Sequence, residues 1–318
     1  MLTKLRSLLK TLLVIITTLI LLLFALLFYG RYIEPNILIT NEVSIPIDNL
    51  PQPLSGLRIV QISDLHGRDY ANDQLAEKIN VNHPDLVVIT GDAVDRNHDN
   101  YQNVTKALAG IKAKLGKYFV TGNNDHTRTI SMPKLESALE QASVTVLHNR
   151  SVKINQGKSH FWLVGVDDPN RARDDLSRAL QDTDAEPKIL LAHSPEIIYK
   201  AAAQQIDLVL TGHTHGGQVR VPGITQNPAM KAKVEALRVK VSQWISQWYG
   251  HQVTLPKISW VFTYNMKPGF EQFIAGLYKV QATQMYVNRG LGETRVPFRI
   301  FAPPEITVLE LVPEGIKQ

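Results

Sequence analysis

A chain of 318 residues, 44% hydrophobic and 20% charged, can bury a large core and is too apolar for disorder, with room for one or two domains at roughly 150 residues each. It has no cysteine, which excludes a disulfide framework, a thiolate zinc site, an iron–sulfur cluster and a cysteine nucleophile, so any metal is held by nitrogen and oxygen. Thirty-four Lys and Arg against 29 Asp and Glu leave a formal net charge of +5, which favours anionic partners; part of the excess flanks an apolar segment, and nucleic acid is not implied.

From Leu12 to Tyr29 only Thr17 and Thr18 interrupt the apolar run, and with Thr11 and Gly30 it reaches the ~20 residues that a membrane-spanning helix needs. Lys4, Arg6 and Lys10 precede it, whereas Arg31 is followed by Glu34, so the positive-inside rule puts the N-terminus in the cytoplasm and the rest of the chain outside it. The run ends Leu26-Leu27-Phe28-Tyr29-Gly30-Arg31 without a small-x-small cleavage pattern, which favours an uncleaved single-pass anchor in the cell membrane over a signal peptide. Residues 1–32 read as cytoplasmic N-terminus and anchor. Residues 33–56, with Pro35, Pro46, Pro51 and Pro53, read as an extended juxtamembrane lead-in to a single domain over 57–318.

In that domain short apolar runs bounded by Gly, Pro, Asn or Asp predict buried strands at Leu57–Ile62, Asp85–Thr90, Lys117–Thr121, Val144–Leu147, Phe161–Gly165, Ile189–Ala192 and Asp207–Thr211. Helical patterns intervene at Asp73–Asn80, Tyr101–Lys114, Pro133–Ala142 and Ala172–Asp182. The fold class is α/β. Polar residues collect where the strands end: Asp64 and His66 after the first, Asp92 and Asp95 after the second, Asn123 and Asp125 after the third, then His193, His213 and His215 at two later ends. Open α/β sheets bind ligands beyond the carboxyl ends of their strands. Carboxylate, imidazole and carboxamide groups meeting on one rim suit two borderline divalent cations such as Mn, Zn or Fe. Gly91, Gly122 and Gly212 are expected to let the backbone turn tightly there. His83, His98, His148, His160 and His251 lack such company and read as surface or structural histidines, Asp167-Asp168 as a turn, and Asp95 as support for the site rather than a ligand.

The series Asp64-Leu65-His66, Gly91-Asp92-Ala93-Val94-Asp95, Gly122-Asn123-Asn124-Asp125, Ala192-His193 and Gly212-His213-Thr214-His215-Gly216-Gly217-Gln218 resembles the calcineurin-like metallophosphoesterases, and most of all their membrane-associated bacterial phosphodiesterase branch. The match runs from about Leu57 to Val219 and resumes over Leu277–Leu311, around Asn288-Arg289-Gly290-Leu291-Gly292. The resemblance implies a four-layer αββα sandwich, two β-sheets flanked by helices. It implies two divalent metal ions, Mn first and Zn or Fe next, with Asp64, His66 and His215 on one, Asn123, His193 and His213 on the other, and Asp92 bridging. Two cations about 3.5 to 4 Å apart clamp a phosphoryl group and lower the pKa of a bridging water, so no side-chain nucleophile is needed.

The sequence departs from that family in two places. Asn124 stands where the family has a His that serves the leaving group, and an amide cannot act as a titrating acid. Either His126 substitutes, or the leaving group has a low pKa, such as a phosphate released from a pyrophosphate bond; a metal-binding module without turnover is the third reading. Arg68 is a candidate for phosphate binding. The second departure is an insertion over 222–275, in which Met230, Val234, Leu237, Val241, Trp244 and Trp248 form one apolar stripe of a helix flanked by Lys231, Lys233, Arg238 and Lys240, with Trp260, Phe262, Tyr264, Phe270 and Phe273 beyond it. Such a helix either lies in the headgroup layer or packs on its own domain or on a second copy. The expected activity is hydrolysis of a phosphodiester, phosphomonoester or phosphoanhydride, with a lipid-linked envelope metabolite as substrate and membrane lipid as partner. A UDP-2,3-diacylglucosamine pyrophosphatase at the cytoplasmic face is the enzymatic alternative. The sequence sets no oligomeric state.

Overall fold

The computed structural model describes residues 2–70, 74–96, 99–220, 228–249, 269–294 and 297–315. The N-terminal apolar run is helix α1, Leu2–Phe28, whose leucines, isoleucines and phenylalanines from Leu5 onward are exposed, and it is the one helix among the described residues long and apolar enough to cross a membrane. At 1.5 Å per residue it is about 40 Å long. A π-helical turn over Tyr29–Ile33 and a 3₁₀ turn over Glu34–Asn36 carry the chain off this helix and onto the domain. Glu34 is buried there because its carboxylate accepts the backbone N–H groups of Phe301 and Ala302, and Gly30 O accepts that of Arg299.

Among the described residues, twelve strands make two six-stranded mixed sheets. The first contains β1 (Ile39–Ile47), β2 (Arg58–Ile62), β3 (Leu86–Thr90), β4 (Lys117–Val120), β5 (Val144–Val146) and β12 (Glu305–Pro313), in the order β1-β12-β2-β3-β4-β5. The second contains β6 (Arg150–Gln156), β7 (Ser159–Gly165), β8 (Lys188–Leu191), β9 (Leu208–Thr211), β10 (Gly276–Val280) and β11 (Thr283–Val287), in the order β10-β11-β9-β8-β7-β6. Alternation along the strands assigns the layers. Ile59, Leu86 and Val88 face Leu163, Leu191, Leu208 and Leu210 in the core between the sheets. Val60, Val87 and Ile89 point the other way, onto α2 (Gln74–Asn80), α3 (Tyr101–Ala109) and α4 (Met132–Gln141). Val164, Leu190 and Val209 pack on α5 (Leu176–Ala179) and α6 (Ile198–Ala203). The result is the four-layer αββα sandwich.

Three elements differ from the sequence reading, one of them α3, which ends at Ala109 where the helical pattern ran to Lys114. The lead-in is extended over Ile39–Ile47, but as an edge strand paired in parallel with β12. The helix expected over Ala172–Asp182 shrinks to Leu176–Ala179, because Ala172 takes left-handed backbone (φ 53°) and Asp175 accepts the N–H of Arg178 to start α5 there. In the insertion, α7 spans Pro228–Tyr249 and leaves Leu237, Val241 and Trp244 exposed, with Arg238 on Glu235 at 2.7 Å. Asp73, His98, His251, Trp260, Phe262 and Tyr264, and the side chain of Trp248, lie outside the described residues.

Candidate metal centre

Strands β2, β3 and β4 of one sheet run parallel to one another, as do β8 and β9 of the other, so their carboxyl ends open on one rim. The loops beyond them are stitched together through backbone: Asp64 N–H donates to Gly91 O at 3.0 Å, His66 N–H to Asp92 O at 3.0 Å, and Gly212 N–H to His193 O at 2.9 Å. Asp64, His66, Asp92, His213 and His215 all have positive φ, between 50° and 73°. L residues with side chains adopt that conformation rarely, and a cluster of them marks a place where the surrounding fold imposes the geometry.

Two of the three glycines act differently from expectation. Gly91 is left-handed (φ +86°), as a tight turn requires. Gly122 and Gly212 are not left-handed; their role is space, since a Cβ on Gly212 would stand 2.5 Å from Asp64 Oδ2 and one on Gly122 2.5 Å from Asp92 N.

All seven residues read as ligands line this rim, and the imidazoles meet in two pairs. His66 Nε2 lies 3.1 Å from His215 Nε2, and His193 Nε2 lies 3.1 Å from His213 Nδ1. Asp92 Oδ2 is 3.8 Å from His66 Nε2 and 3.3 Å from His193 Nε2, so it is reached from both pairs. Asp64 Oδ1 is 3.1 Å from His215 Nε2, while its Oδ2 accepts the backbone N–H of His213 at 2.9 Å and the hydroxyl of Ser63 at 2.6 Å. Ligand atoms of Asp64, His66 and His215 lie within 4.8 Å of one another, as do those of Asp64, Asp92 and His193. The second nitrogens of two rings are fixed: His193 Nδ1 donates to Thr90 O at 2.8 Å and His215 Nδ1 to Gly292 O at 3.0 Å, which leaves each Nε2 lone pair facing the site. Gly292 belongs to the resumed motif, whose carbonyls at Arg289, Gly290 and Gly292 are gathered by the fully buried Arg299 guanidinium. Sequence gave no signal for Arg299, an isolated arginine outside any motif.

The donor set fits divalent cations. Asp64 Oδ1 and Asn123 Oδ1 are both buried without a hydrogen bond, the first of them 3.1 Å from His215 Nε2 and 3.8 Å from His66 Nε2. Charge is already polarised in the cluster. Burial favours the neutral acid for Asp92, but His193 and His66 overcome it and lower its pKa to about 2. Burial likewise opposes ionisation of Asp64, and His215 and His193 hold it well below the ordinary carboxylate value.

The remaining candidates are placed apart from one another. Asn124 sits over the bridging position: its backbone N–H and its amide Nδ2 donate to Asp92 Oδ1 at 2.7 Å and Oδ2 at 2.5 Å. His126 holds Thr121 Oγ1 through Nε2 at 2.9 Å, and Thr121 donates to Asp167 at 2.8 Å. Arg68 is engaged by Glu293 at 3.0 Å and by Asn36 Oδ1 at 2.8 Å. Asp95 stands 3.8 Å behind His66 Nδ1. His148 bridges Asp167 and Glu136, and His160 contacts Asp184, both away from the cluster.

The family model for calcineurin-like phosphoesterases matches residues 57–217. An uncharacterized metallophosphoesterase of Bacillus subtilis is 32% identical over 89% of this chain and 88% of its own length. A zebrafish (Danio rerio) transmembrane protein with a metallophosphoesterase domain is 31% identical over 85% of this chain, which spans 56% of that protein's length. An uncharacterized metallophosphoesterase of Helicobacter pylori strain J99 is 30% identical over 91% of this chain and 67% of its own. The matched span takes in every strand-end loop of the cluster, and with the full-length bacterial relative it shows that the chain belongs to the calcineurin-like phosphoesterase family.

Proposed function

We propose that this metal-dependent phosphoric ester hydrolase works at a dinuclear centre in which Asp64, His66 and His215 hold one cation, Asn123, His193 and His213 hold the other, and Asp92 bridges them. The observation that carries this reading is the place of Asp92 Oδ2 between the two imidazole pairs, with Asp64 grouped beside it and the Asn123 Oδ1 buried without a hydrogen bond. Bound there, two divalent cations, manganese in the cell, supply Lewis-acid polarisation of a phosphoryl oxygen and an activated water. The chain's own groups set the stage. Thr90 O and Gly292 O fix the tautomers of His193 and His215. Neutral imidazoles limit the negative charge of the cluster, which favours entry of a phosphate anion. Asn124 holds Asp92 by two donors but offers no titrating proton, so departure of the product relies on a leaving group of low pKa.

Anchoring by α1 with the domain outside the cytoplasm, on a lipid-linked envelope substrate, completes the proposal. The exposed apolar helix and its basic N-terminal flank support it, as do Leu237 and Trp244 exposed on α7. Manganese-loaded protein should hydrolyse bis-p-nitrophenyl phosphate, and Asp92→Ala or His213→Ala should remove the activity; equal turnover by both variants would refute the centre. A C-terminal alkaline phosphatase fusion that is active supports the outside placement, and a silent one supports a pyrophosphatase at the cytoplasmic face. Trp244→Ser with Trp248→Ser should weaken liposome binding of the protein lacking α1.

A further inference from the structure

The loop that follows β7, residues 166–173, brings two cationic side chains to the rim of the metal centre that the mechanism above does not use. Its shape is fixed from within. Buried Asp168 accepts the N–H groups of Asn170 at 3.0 Å and Arg171 at 3.1 Å, Ala172 closes the turn in left-handed backbone, and Arg173 N–H returns to Asp168 O at 3.1 Å. Asn149 clamps the loop from outside by donating to Arg173 O at 3.0 Å. Two contacts attach the loop to the centre: the Asn170 carboxamide stands 3.1 Å from His213 Nε2, and Arg171 Nε donates to the backbone carbonyl of Asn123 at 2.9 Å.

That second contact leaves the guanidinium with one nitrogen committed and two free. Arg171 and Arg173 are exposed, and among the described residues neither forms a salt bridge, although the charge of Arg171 acts on buried Asp168, whereas Arg58, Arg68 and Arg238 are each paired with a glutamate. The two Nη groups of a guanidinium form a planar fork that matches two oxygens of a phosphate. Burial, and then the charges of Arg173 and Arg171 among others, hold His126, three residues beyond Asn123, below the ordinary imidazole value. Arg171 is joined to the main chain of Asn123, not to its orphaned Oδ1, and so stands one step outside the position of the reacting phosphoryl group. Asn124, over Asp92, has no proton to give a leaving alkoxide, and a phosphate leaving group needs none.

We infer that Arg171, backed by Arg173, binds a second phosphate of the substrate, which makes the substrate class a diphosphate diester cleaved at its anhydride bond. The inference rests on the dinuclear reading above. In the reaction, a water oxygen forms a bond to one phosphorus, the bond from that phosphorus to the bridging oxygen breaks, and the bridging oxygen keeps the electron pair as part of the departing phosphate held by Arg171. The two protons of the water pass to solvent, and two phosphate monoesters result.

The test compares two non-hydrolysable probes by calorimetry on the manganese-loaded protein: P1,P2-diphenyl methylenediphosphonate, with two phosphorus centres, and phenyl methylphosphonate, with one. The wild type should bind the first more tightly. Arg171→Gln should weaken the first by about tenfold more than the second, the loss of one charge-assisted contact, and Arg173→Gln should act in the same direction. Metal content and Tm measured on each variant show that the centre is intact. Equal weakening of both probes, or a wild type that does not distinguish them, overturns the inference even if bis-p-nitrophenyl phosphate is hydrolysed. Absence of that hydrolysis by the wild type is instead the failure of the dinuclear reading.

Discussion

Asp125 holds the backbone of Asp92 in place: its Oδ2 accepts the N–H of Asp92 at 2.9 Å and that of Gly122 at 2.7 Å, while Oδ1 takes the N–H of Val94 at 3.3 Å. One carboxylate therefore ties the loop after β3 to the loop after β4 and sets where the bridging side chain stands. Burial, then the charge of Asp92, pushes Asp125 up to about 7. Asp125→Asn turns one acceptor into a donor aimed at N–H groups, leaving buried donors unpartnered at about 1–3 kcal/mol each. A fall of several degrees in Tm of the metal-free protein, with weaker metal binding, is the expected result, checked by calorimetry.

The two space-filling glycines give a sharper test. A methyl at Gly212 collides with Ser63 and Asp64, and one at Gly122 with Asp92. Gly212→Ala and Gly122→Ala should each cost about 1–3 kcal/mol and displace a ligand carboxylate, lowering metal affinity by at least about tenfold. Gly56→Ala has open space but left-handed backbone, so it should lower Tm without changing metal affinity.

The pH dependence follows from the imidazoles. Burial alone pushes His193 down, but Asp92 and Asp64 outweigh it and hold the ring well above its ordinary value. His66 is raised in the same manner by Asp64 and Asp92, while burial and neighbouring His193 push His213 down to about 3. Metal-free protein thus favours protons on His66 and His193 near neutrality, and ligation needs neutral rings, so binding releases protons. The sign is an affinity that rises with pH through the neutral range. Manganese titrations in buffers of different ionisation enthalpy should read net proton release at pH 7; a heat independent of buffer contradicts the assignment.

The junction with α1 sets where the chain can be shortened. A protein beginning at residue 29 keeps Gly30 O on Arg299 and the Glu34 carboxylate on Phe301 and Ala302. One beginning at residue 37 loses both and leaves the N–H groups of Arg299, Phe301 and Ala302 without these acceptors. The expected difference is a Tm lower by several degrees in the shorter protein, since each bond to a charged group contributes about 1.5–3 kcal/mol.

Sequence carried the parts of this fold whose residues are buried on both faces or sit at strand ends. Leu86–Thr90 is a continuous apolar run because both its faces are covered, and the strand-end carboxylates and imidazoles announce themselves by following such runs. β1 was legible only as extended chain, since its ladder partner β12 lies some 260 residues away and its faces are half exposed. Gly122 and Gly212 were read for backbone freedom when their reason is a neighbour from another loop, which local sequence does not encode. Arg299, Asn170 and Arg171 act through contacts with distant loops, and nothing in their own surroundings distinguishes them from surface residues.

The most direct test of the dinuclear centre is elemental analysis of full-length protein reconstituted with manganese, wild type beside Asp92→Ala. The account predicts about two manganese ions per wild-type chain, and one or fewer in the variant together with loss of phosphodiester turnover. A wild type without stoichiometric divalent metal, or a variant that keeps its full complement, would contradict it.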